Sequence, residues 1–581
     1  MKVQSLSGAV VCALVVACAP AAPPPAPSIP QPNPPLVRPP FRMDTTLLPD
    51  RVPPFQQAPL IVWGPPPEGT THPERARTYD LQHQTTTVRF DWPRQAVVGT
   101  TTLTIAGLRR AAPVSNVVID AGDMTFKRVA SGQRELKYDY DGHALTVHLA
   151  TPLRAGQKTS ITIDYDGANR TKGAYFRPAK HIVWTQGETE DNHYWVPTYD
   201  FPNDKTMWEF YIWTAKGERA LSNGRLAGSR AVGDSIEWHW VLDKPASTYL
   251  MTTVVGNYVV LQDRPWRNVP VGYWTYPDSV EAARRGFAKT PQAIDVFSRK
   301  TGVPYPWSKY DQIVIPEFQY GGMENVTATS QNDAEILHPA WSEPQANSVG
   351  LMAHELGHQW YGDLLTTRDW GDVWLNEGFA TFMEQVFREE DLGVDEGAFD
   401  RLGAQEQTIE ADRRTRRPIV WNKWVNDPIE VFFSGHIYPK GATILQMLRH
   451  QLGDDLFWKA MNHYTTSHAY GTVVTDDLRK AFEETTGKDY KTFFDQWVYG
   501  AGFPVFQVSS LYDRAANRLV INAREVQPRD SLTGFFDVDV DVEARTDSGV
   551  VRFVVPVRNG TGDAGANLKA PPRWIRWDKG N

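Results

Sequence analysis

Short runs of β-branched and aromatic residues recur between about Tyr79 and Gln262, as at positions 100–105, 160–165 and 208–214. Gly, Asp and Asn separate these runs at short intervals. Alternation with period two places one set of side chains on one face of a sheet, and such intervals are typical of antiparallel strands joined by tight turns. The pattern predicts an N-terminal β domain over residues 58–265, arranged as an antiparallel sandwich or saddle.

The spacing of apolar residues changes to three and four from about residue 270 onwards, which indicates amphipathic helices. Gly follows several of these stretches, as expected at helix C-termini. One short β stretch, 312–315, interrupts them. The pattern predicts a mainly helical domain over residues 266–502, with helices at 281–301, 347–364, 373–392, 440–452 and 475–486.

Alternation returns after Gly502, in four stretches at 506–511, 518–523, 536–544 and 550–556. We expect residues 503–581 to form a small C-terminal β-sandwich. The predicted fold class is therefore multidomain α+β. A length of 581 residues supports more than one domain.

The N-terminus has the pattern of an exported protein. Lys2 precedes an apolar run at residues 10–17, which is too short to span a bilayer but suits a signal peptide. The run ends Val-Val-Ala-Cys and resembles a bacterial lipobox, which implies a signal peptide at 1–17 and a lipid on Cys18. An ordinary secretory signal is the alternative. Residues 18–57 are rich in proline and predict a semi-rigid linker.

Charge excludes one class of partner. The formal net charge is -8 and no basic cluster occurs, so we expect no nucleic-acid partner. Cys12 and Cys18 are the two cysteines, so cleavage before Cys18 would leave a single thiol and no internal disulfide.

A metal site is indicated by the sequence His354-Glu355-Leu356-Gly357-His358. Residues four apart on a helix lie on one face, so both imidazoles can reach one ion. Glu355 would lie beside the ion without binding it, placed to act as a general base on a water molecule. Two ordinary surface histidines are the alternative interpretation of the motif taken alone.

A third ligand is available on the next predicted helix. Glu377 lies 19 positions after His358, which leaves room for one helix to end and another to return beside it. Two histidines and one carboxylate with an open position are typical of a catalytic zinc site, so one Zn²⁺ per chain is predicted. Glu384 is expected to contact a ligand imidazole.

The order of three motifs resembles one peptidase family. HELGH, then WLNEGFA, with GGMEN upstream, is similar to the aminopeptidase N and leukotriene hydrolase family of gluzincins, over about residues 75–510. The resemblance implies a β saddle, a thermolysin-like catalytic domain and a C-terminal β-sandwich. We expect this protein to lack the large helical C-terminal domain of many members.

The resemblance also implies residues that recognise a peptide's free amine. An α-amino group is positively charged below a pKa of about 8, so carboxylates can pair with it. Glu324 of GGMEN is the first such carboxylate, and Gly321, Gly322 and Met323 would hydrogen-bond the substrate backbone as an added strand. Glu188 is the second, although Asn192-His193-Tyr194 stands where relatives often have an arginine. An ordinary turn at Gly321–Gly322 and a solvated loop at Glu188 are the alternatives.

Tyr438 resembles the family tyrosine that stabilises a developing oxyanion. Pro439 favours an extended residue before it and the first turn of a helix after it, which would place Tyr438 at the entrance of a helix. A core tyrosine is the alternative. Phe433 stands where some relatives have another tyrosine and receives no catalytic role.

The predicted function is a zinc aminopeptidase acting on peptides with a free N-terminus. The alternatives are a thermolysin-like endopeptidase, an epoxide hydrolase and a catalytically weak lipoprotein scaffold. The lipid on Cys18 would anchor the protein in a bacterial envelope, facing the periplasm or exterior. Ala19 is not an inner-membrane retention signal, which favours the outer membrane.

Overall fold

A computed structural model describes residues 62–109, 111–168, 171–338 and 347–579. The predicted signal peptide, Cys18 and the linker at 18–57 lie outside the described residues, and the predicted domain boundaries stay predictions. No helix within the described ranges is long and apolar enough to cross a membrane.

The N-terminal region is rich in β-strands, as its alternating pattern predicts. Its strands are, in chain order, β1 (Thr70–Thr71), β2 (Tyr79–Asp91), β3 (Ala96–Gly107), β4 (Val114–Asp120), β5 (Met124–Ser131), β6 (Arg134–Glu135), β7 (Lys137–Tyr140), β8 (Ala144–Leu153), β9 (Lys158–Gly167), β10 (Ala174–Arg177), β11 (Ile182–Thr185), β12 (Thr206–Ala215), β13 (Arg219–Ser222), β14 (Arg225–Val232), β15 (Ser235–Ala246), β16 (Thr253–Gly256) and β17 (Val259–Gln262).

Three sheets organise most of these strands. The largest has eight strands in the order β14-β15-β12-β2-β3-β9-β5-β6, and the others are β4-β8-β7 and β10-β11-β16-β13. The predicted all-antiparallel arrangement is wrong for one pair, because β2 and β12 run parallel. A parallel pair needs a long connection, and the whole chain between Asp91 and Thr206 supplies it.

The central region carries a second, mixed sheet and most of the helices. Its elements are β18 (Val271–Thr275), α1 (Val280–Gly286), α2 (Thr290–Thr301), β19 (Tyr310–Ile315), β20 (Gly322–Met323), β21 (Ala328–Asn332), α3 (Asp333–Ile336), α4 (Asn347–Gly357), β22 (Thr366–Thr367), α5 (Trp374–Leu392), α6 (Val394–Arg414), β23 (Lys423–Trp424), α7 (Gly441–Leu452), α8 (Asp454–Ser467), β24 (Thr472–Val473), α9 (Thr475–Thr486) and α10 (Lys491–Trp497). The mixed sheet has the order β17-β18-β19-β21-β20, so β20 forms its edge.

Two predicted helices are shorter in the structure. The stretch 281–301 divides into α1 and α2, because Phe287 is fully buried between them and Pro291 occupies the first turn of α2. The stretch 347–364 ends its regular helix at Gly357, although the backbone N–H of His358 still bonds the carbonyl of His354 at 3.2 Å. The relation between these two histidines therefore stays helical.

The predicted C-terminal β-sandwich is wrong, because the strands of this region form a single sheet. Its strands are β25 (Phe506–Asp513), β26 (Arg518–Glu525), β27 (Val538–Thr546), β28 (Gly549–Arg558), β29 (Thr561–Asn567) and β30 (Trp574–Trp577). They form one six-stranded sheet in the order β25-β26-β29-β28-β27-β30, a half-barrel rather than two facing sheets. Leu519, Ile521, Val542 and Val555 share its small core. Alternation reports only that one face is buried, and a curved sheet buries its own concave face.

A glycine contact sets the spacing between α5 and α7. A Cβ at Gly378 would lie 2.8 Å from Cα of Gly441 and 2.9 Å from the carbonyl oxygen of Ile437. A Cβ at Gly441 would lie 2.7 Å from Cα of Gly378. Because real Cβ atoms do not approach so closely, the two backbones can touch only where both residues are glycine. This contact positions Glu377 on α5 close to the turn that carries Tyr438.

We expect Gly378→Ala to lower the free energy of unfolding by about 1–3 kcal/mol, because the added methyl group overpacks a backbone contact. Gly403→Ala on α6 is the matched control. No atom lies within 4 Å of a Cβ at Gly403, so this change should be neutral or stabilise by about 0.5–1 kcal/mol. Urea unfolding of both variants tests the prediction, and equal stability of the two would contradict it.

Candidate active site

Three predicted ligands converge on one point. The Nε2 atoms of His354 and His358 lie 3.1 Å apart, and each lies 3.3 Å from Oε2 of Glu377. His354 projects from α4, His358 follows the end of that helix, and Glu377 lies in the first turn of α5. The three side chains form a candidate metal-binding group.

The separations fit a tetrahedral ion. Ligand atoms held about 2.0–2.2 Å from a tetrahedral Zn²⁺ lie roughly 3.3–3.6 Å from one another. The observed separations of 3.1–3.3 Å are close to that range. The donor set also suits zinc, because it combines two imidazole nitrogens with one carboxylate. The residues present therefore fit a metal ion without rearrangement of the backbone.

Contacts behind the ligands orient the imidazoles. Nδ1 of His358 lies 2.9 Å from the carbonyl oxygen of Tyr361, so Nδ1 carries the proton and Nε2 is left to bind an ion. Nδ1 of His354 lies 3.8 Å from Oε2 of Glu384, the residue expected to contact a ligand imidazole. Each histidine thus has an oxygen on the side opposite the candidate metal position.

Glu355 lies against the edge strand. A Cβ at Gly322 would lie 2.3 Å from Oε1 of Glu355, so only glycine leaves room for this carboxylate. Oε2 of Glu355 is buried and has no hydrogen-bond partner within the described residues. Burial raises the pKa of Glu355 well above its usual range, and Glu324 and Glu377 add to this effect. A buried carboxylate with a free oxygen and a raised pKa is suited to accept a proton.

The strand β20 presents a free edge beside Glu355. Gly322 pairs with Gln331 and Met323 with Ser330 on β21, and β20 has no neighbour on its other side in the described sheet. An extended peptide can hydrogen-bond to such an edge as an additional strand. This arrangement agrees with the expected role of Gly321, Gly322 and Met323.

Two further carboxylates, those of Glu188 and Glu324, line the same cavity as the triad. Glu324 is buried, and the hydroxyl of Tyr249 donates a hydrogen bond of 3.0 Å to its Oε1. Glu188 follows β11, and its Oε1 is buried without a hydrogen-bond partner in the described part of the chain. Burial raises the pKa of Glu188 well above its usual range, and Glu324 is the neighbouring charge that contributes most.

Tyr438 faces the same cavity from another element. It belongs to a π-helical turn, His436–Lys440, which leads directly into α7. Its ring lies 6.0 Å from that of His354, centroid to centroid. Burial raises the pKa of Tyr438 well above its usual range, so its hydroxyl stays a hydrogen-bond donor. Phe433, which has no assigned role, lies at the rim with 72% exposure.

The cavity that these groups enclose has a volume of about 460 Å³. Its described lining contains six glutamates and neither lysine nor arginine. The lining residues are Glu188, Tyr320, Gly321, Gly322, Glu324, Glu335, Leu351, His354, Glu355, His358, Glu377, Glu384, Ile429, Phe432, Phe433 and Tyr438.

The pKa values of His358 and Glu377 shift in opposite directions. Burial alone would lower the pKa of His358, but Glu324 and Glu377 outweigh it and raise that pKa well above its usual range. Burial would raise the pKa of Glu377, but His358 and His354 outweigh it and lower that pKa to about 2. Both shifts favour additional positive charge at the triad, which a divalent cation can supply in place of protons.

Sequence reasoning missed Tyr249 and Glu335. The Tyr249 hydroxyl accepts a hydrogen bond of 3.2 Å from Asn376 and donates one to Glu324, so it links the N-terminal region with α5 and the edge strand. Tyr249 lies in an apolar stretch that resembles core, and Glu335 lies among other polar residues after β21. Neither position carries a local signal, because their roles arise from contacts between distant segments.

Two family profiles match the chain. The Peptidase family M1 domain matches residues 285–497 and the Peptidase M1 N-terminal domain matches residues 77–250. The two matches together span more than half of the chain and include every site residue described above. The chain belongs to the peptidase M1 family.

Curated relatives resemble part of the chain. Aminopeptidase N of Streptomyces lividans is 30% identical over 335 residues, which cover 56% of this chain and 39% of that protein. Glutamyl aminopeptidase of Bos taurus is 30% identical over 355 residues, which cover 59% and 37%. Leucyl aminopeptidase of Saccharolobus solfataricus is 27% identical over 410 residues, which cover 68% and 50%. The matched segment thus spans half or less of each of these relatives.

A solved structure shares the fold. The crystal structure of Legionella pneumophila aminopeptidase A in complex with aspartic acid superposes with a TM-score of 0.77 and 18% sequence identity. The similarity covers 87% of this chain and 59% of that one. It supports the arrangement of a β-rich N-terminal region, a helical catalytic region and the C-terminal half-barrel.

We predict that Glu377→Gln weakens Zn²⁺ binding by at least about 100-fold, because it removes the anionic ligand of the triad. Glu384→Gln, which alters only a contact behind His354, should weaken it by about 10-fold. Zn²⁺ titrated into chelator-treated protein, followed by calorimetry, measures both changes. Unchanged affinity in Glu377→Gln would contradict the ligand assignment.

Proposed function

We propose that this chain is a zinc-dependent aminopeptidase that removes single residues from the free N-terminus of peptides. One observation carries the proposal: the two buried carboxylates of Glu188 and Glu324 lie beside the His354, His358 and Glu377 triad, in a cavity whose described lining has no lysine or arginine. A peptide ammonium group would supply the missing positive charge at one end of this cavity. Endopeptidases have no need of such a pocket.

His354, His358 and Glu377 would hold the zinc ion. When bound, the ion would polarise the scissile carbonyl and lower the pKa of a water molecule at the site. The helical domain at residues 266–502, which carries these three residues, is proposed to be thermolysin-like. The protein's own side chains account for binding, orientation and proton transfer.

Substrate binding begins at the amine. Glu188 and Glu324 accept hydrogen bonds from the ammonium group, and the edge strand at Gly321–Met323 aligns the backbone that follows. An N-terminal extension replaces the ammonium group with an uncharged amide, which forms no ion pair with either carboxylate. This arrangement fixes the scissile bond one residue from the amine.

Glu355 transfers the protons. It lies next to the triad and has a free, buried oxygen, so it can accept a proton from the attacking water and return one to the leaving amine. Tyr438 donates a hydrogen bond to the oxyanion that develops on the carbonyl oxygen. Its raised pKa keeps that proton in place through the reaction.

The chain's location is also a proposal. Lipid attachment at Cys18 and anchoring in a bacterial envelope follow from the resemblance to a lipobox. Mass spectrometry of the N-terminal peptide from envelope fractions tests this, and an unmodified Cys18 in the mature protein would contradict it.

We expect Glu355→Gln to lower kcat by about 10²–10⁴-fold while leaving the zinc content unchanged, because glutamine fills the same space but accepts no proton. Glu281→Gln is the control, since the Glu281 side chain is 79% exposed and lies outside the cavity. Near-native turnover by Glu355→Gln would show that another group is the base.

We expect hydrolysis of aminoacyl amides with a free amine, and none of the same amides after N-acetylation. Chelation should abolish the activity and Zn²⁺ should restore it. Glu324→Gln and Glu188→Gln should each lower kcat/KM by about 10–100-fold, because each removes a charge-assisted hydrogen bond to the amine.

The acetylated substrates separate the competing functions. Equal cleavage of free and acetylated amides would identify an endopeptidase. Failure to cleave either kind, with zinc bound, would identify a scaffold without peptidase activity.

A further inference from the structure

One glutamate of the catalytic cavity has no role in the proposed reaction. Glu335 lies on the short helix α3 and lines the same 460 Å³ cavity as the triad. It is half-buried, and within the described ranges it has neither a hydrogen bond nor an ion pair. A carboxylate placed in a cavity without a partner is available to a ligand.

Glu335 lies beside one end of the edge strand. A Cβ at Gly321 would lie 3.9 Å from Oε1 of Glu335 and 3.2 Å from Cδ1 of Leu351. Gly321, Glu335 and Leu351 therefore form one small wall of the cavity. Glu324, which binds the amine in the proposed reaction, lies three residues away at the opposite end of the strand.

The strand gives the substrate a direction. With its amine held by Glu324 and its backbone aligned along Gly322 and Met323, a peptide must continue towards Gly321. Successive residues of an extended chain advance by about 3.3 Å, so the residue after the scissile bond lies beside Gly322, one step from Gly321. A long side chain at that position can reach the wall that contains Glu335.

Glu335 is separate from the amine-binding carboxylates. Burial raises the pKa of Glu335 with no contribution from a neighbouring charge, whereas burial, Glu324 and Glu377 all raise the pKa of Glu188. Glu335 thus forms a second, isolated centre of negative charge. A positive group bound there would not compete with the peptide amine for the same carboxylates.

We propose that Glu335 is a specificity-determining residue that binds a lysine or arginine side chain at the second position of the peptide. Leu351 would contact the aliphatic part of that side chain, while the carboxylate of Glu335 accepts a hydrogen bond from its charged end. This inference rests on the proposed aminopeptidase function and names the class of peptides that the site prefers: those with a basic second residue.

The test compares substrates that differ at the second position alone. The zinc-loaded enzyme acts on Leu-Lys-amide, Leu-Met-amide and Leu-Glu-amide, and kcat/KM is measured for each. We expect Lys to be preferred over Met by about 3–10-fold, as for a half-buried ion pair. Added salt should reduce the preference, because the carboxylate is partly exposed.

Two variants assign the preference to this residue. Glu335→Gln should abolish most of the preference for Lys over Met, and Glu335→Lys should make Glu the better second residue. Glu281→Gln, at an exposed residue that does not line the cavity, should keep the wild-type ratio.

The outcomes separate this inference from the proposed function. If the wild-type enzyme cleaves all three amides but shows no preference, or if Glu335→Gln and Glu335→Lys keep the wild-type ratios, the inference is wrong and the aminopeptidase function stands. If the wild-type enzyme cleaves none of them with zinc bound, the proposed function itself fails.

Discussion

The concentration of negative charge in one cavity is the constraint on which the site depends. Six glutamates line it, while the cationic side chains that usually balance such charge are absent from its described lining. Burial of a carboxylate costs several kcal/mol unless a cation compensates it. The two imidazoles compensate only part of the charge, so the cavity favours additional cations, which we propose to be a divalent ion at the triad and an ammonium group at Glu188 and Glu324.

The fold assembles this cavity from segments that are distant in sequence. The N-terminal region supplies Glu188 and Tyr249, the mixed sheet supplies its edge strand, and the helices supply the triad and the turn with Tyr438. Glycines permit the closest approaches, since Gly322 leaves space for Glu355, and Gly378 and Gly441 bring α5 against α7. Packing of the helices therefore sets the distance between the candidate metal ligands and Tyr438.

Sequence patterns predict the features that depend on residues close together in the chain. The spacing of His354 and His358 predicts their approach from helical geometry alone, and the interval to Glu377 leaves room for the next helix to return beside them. α6 was missed since its buried residues, such as Gly397, Thr408 and Asp412, are small or polar. The half-barrel and Glu335 could not be predicted, because sheet curvature and cavity walls depend on contacts between segments. Glu188 and Tyr438 came from resemblance to a family rather than from their own surroundings.

Recognition of a peptide amine by Glu188 and Glu324 is an equilibrium that inhibitor affinities measure. Leucinol has no amide bond to hydrolyse, so its inhibition constant can be compared with that of its deamino analogue, 4-methylpentan-1-ol, on the zinc-loaded enzyme. We predict that leucinol binds at least about 10-fold more tightly and that Glu324→Gln removes most of the difference. Equal affinity of the two alcohols for the wild-type enzyme would contradict recognition of the amine.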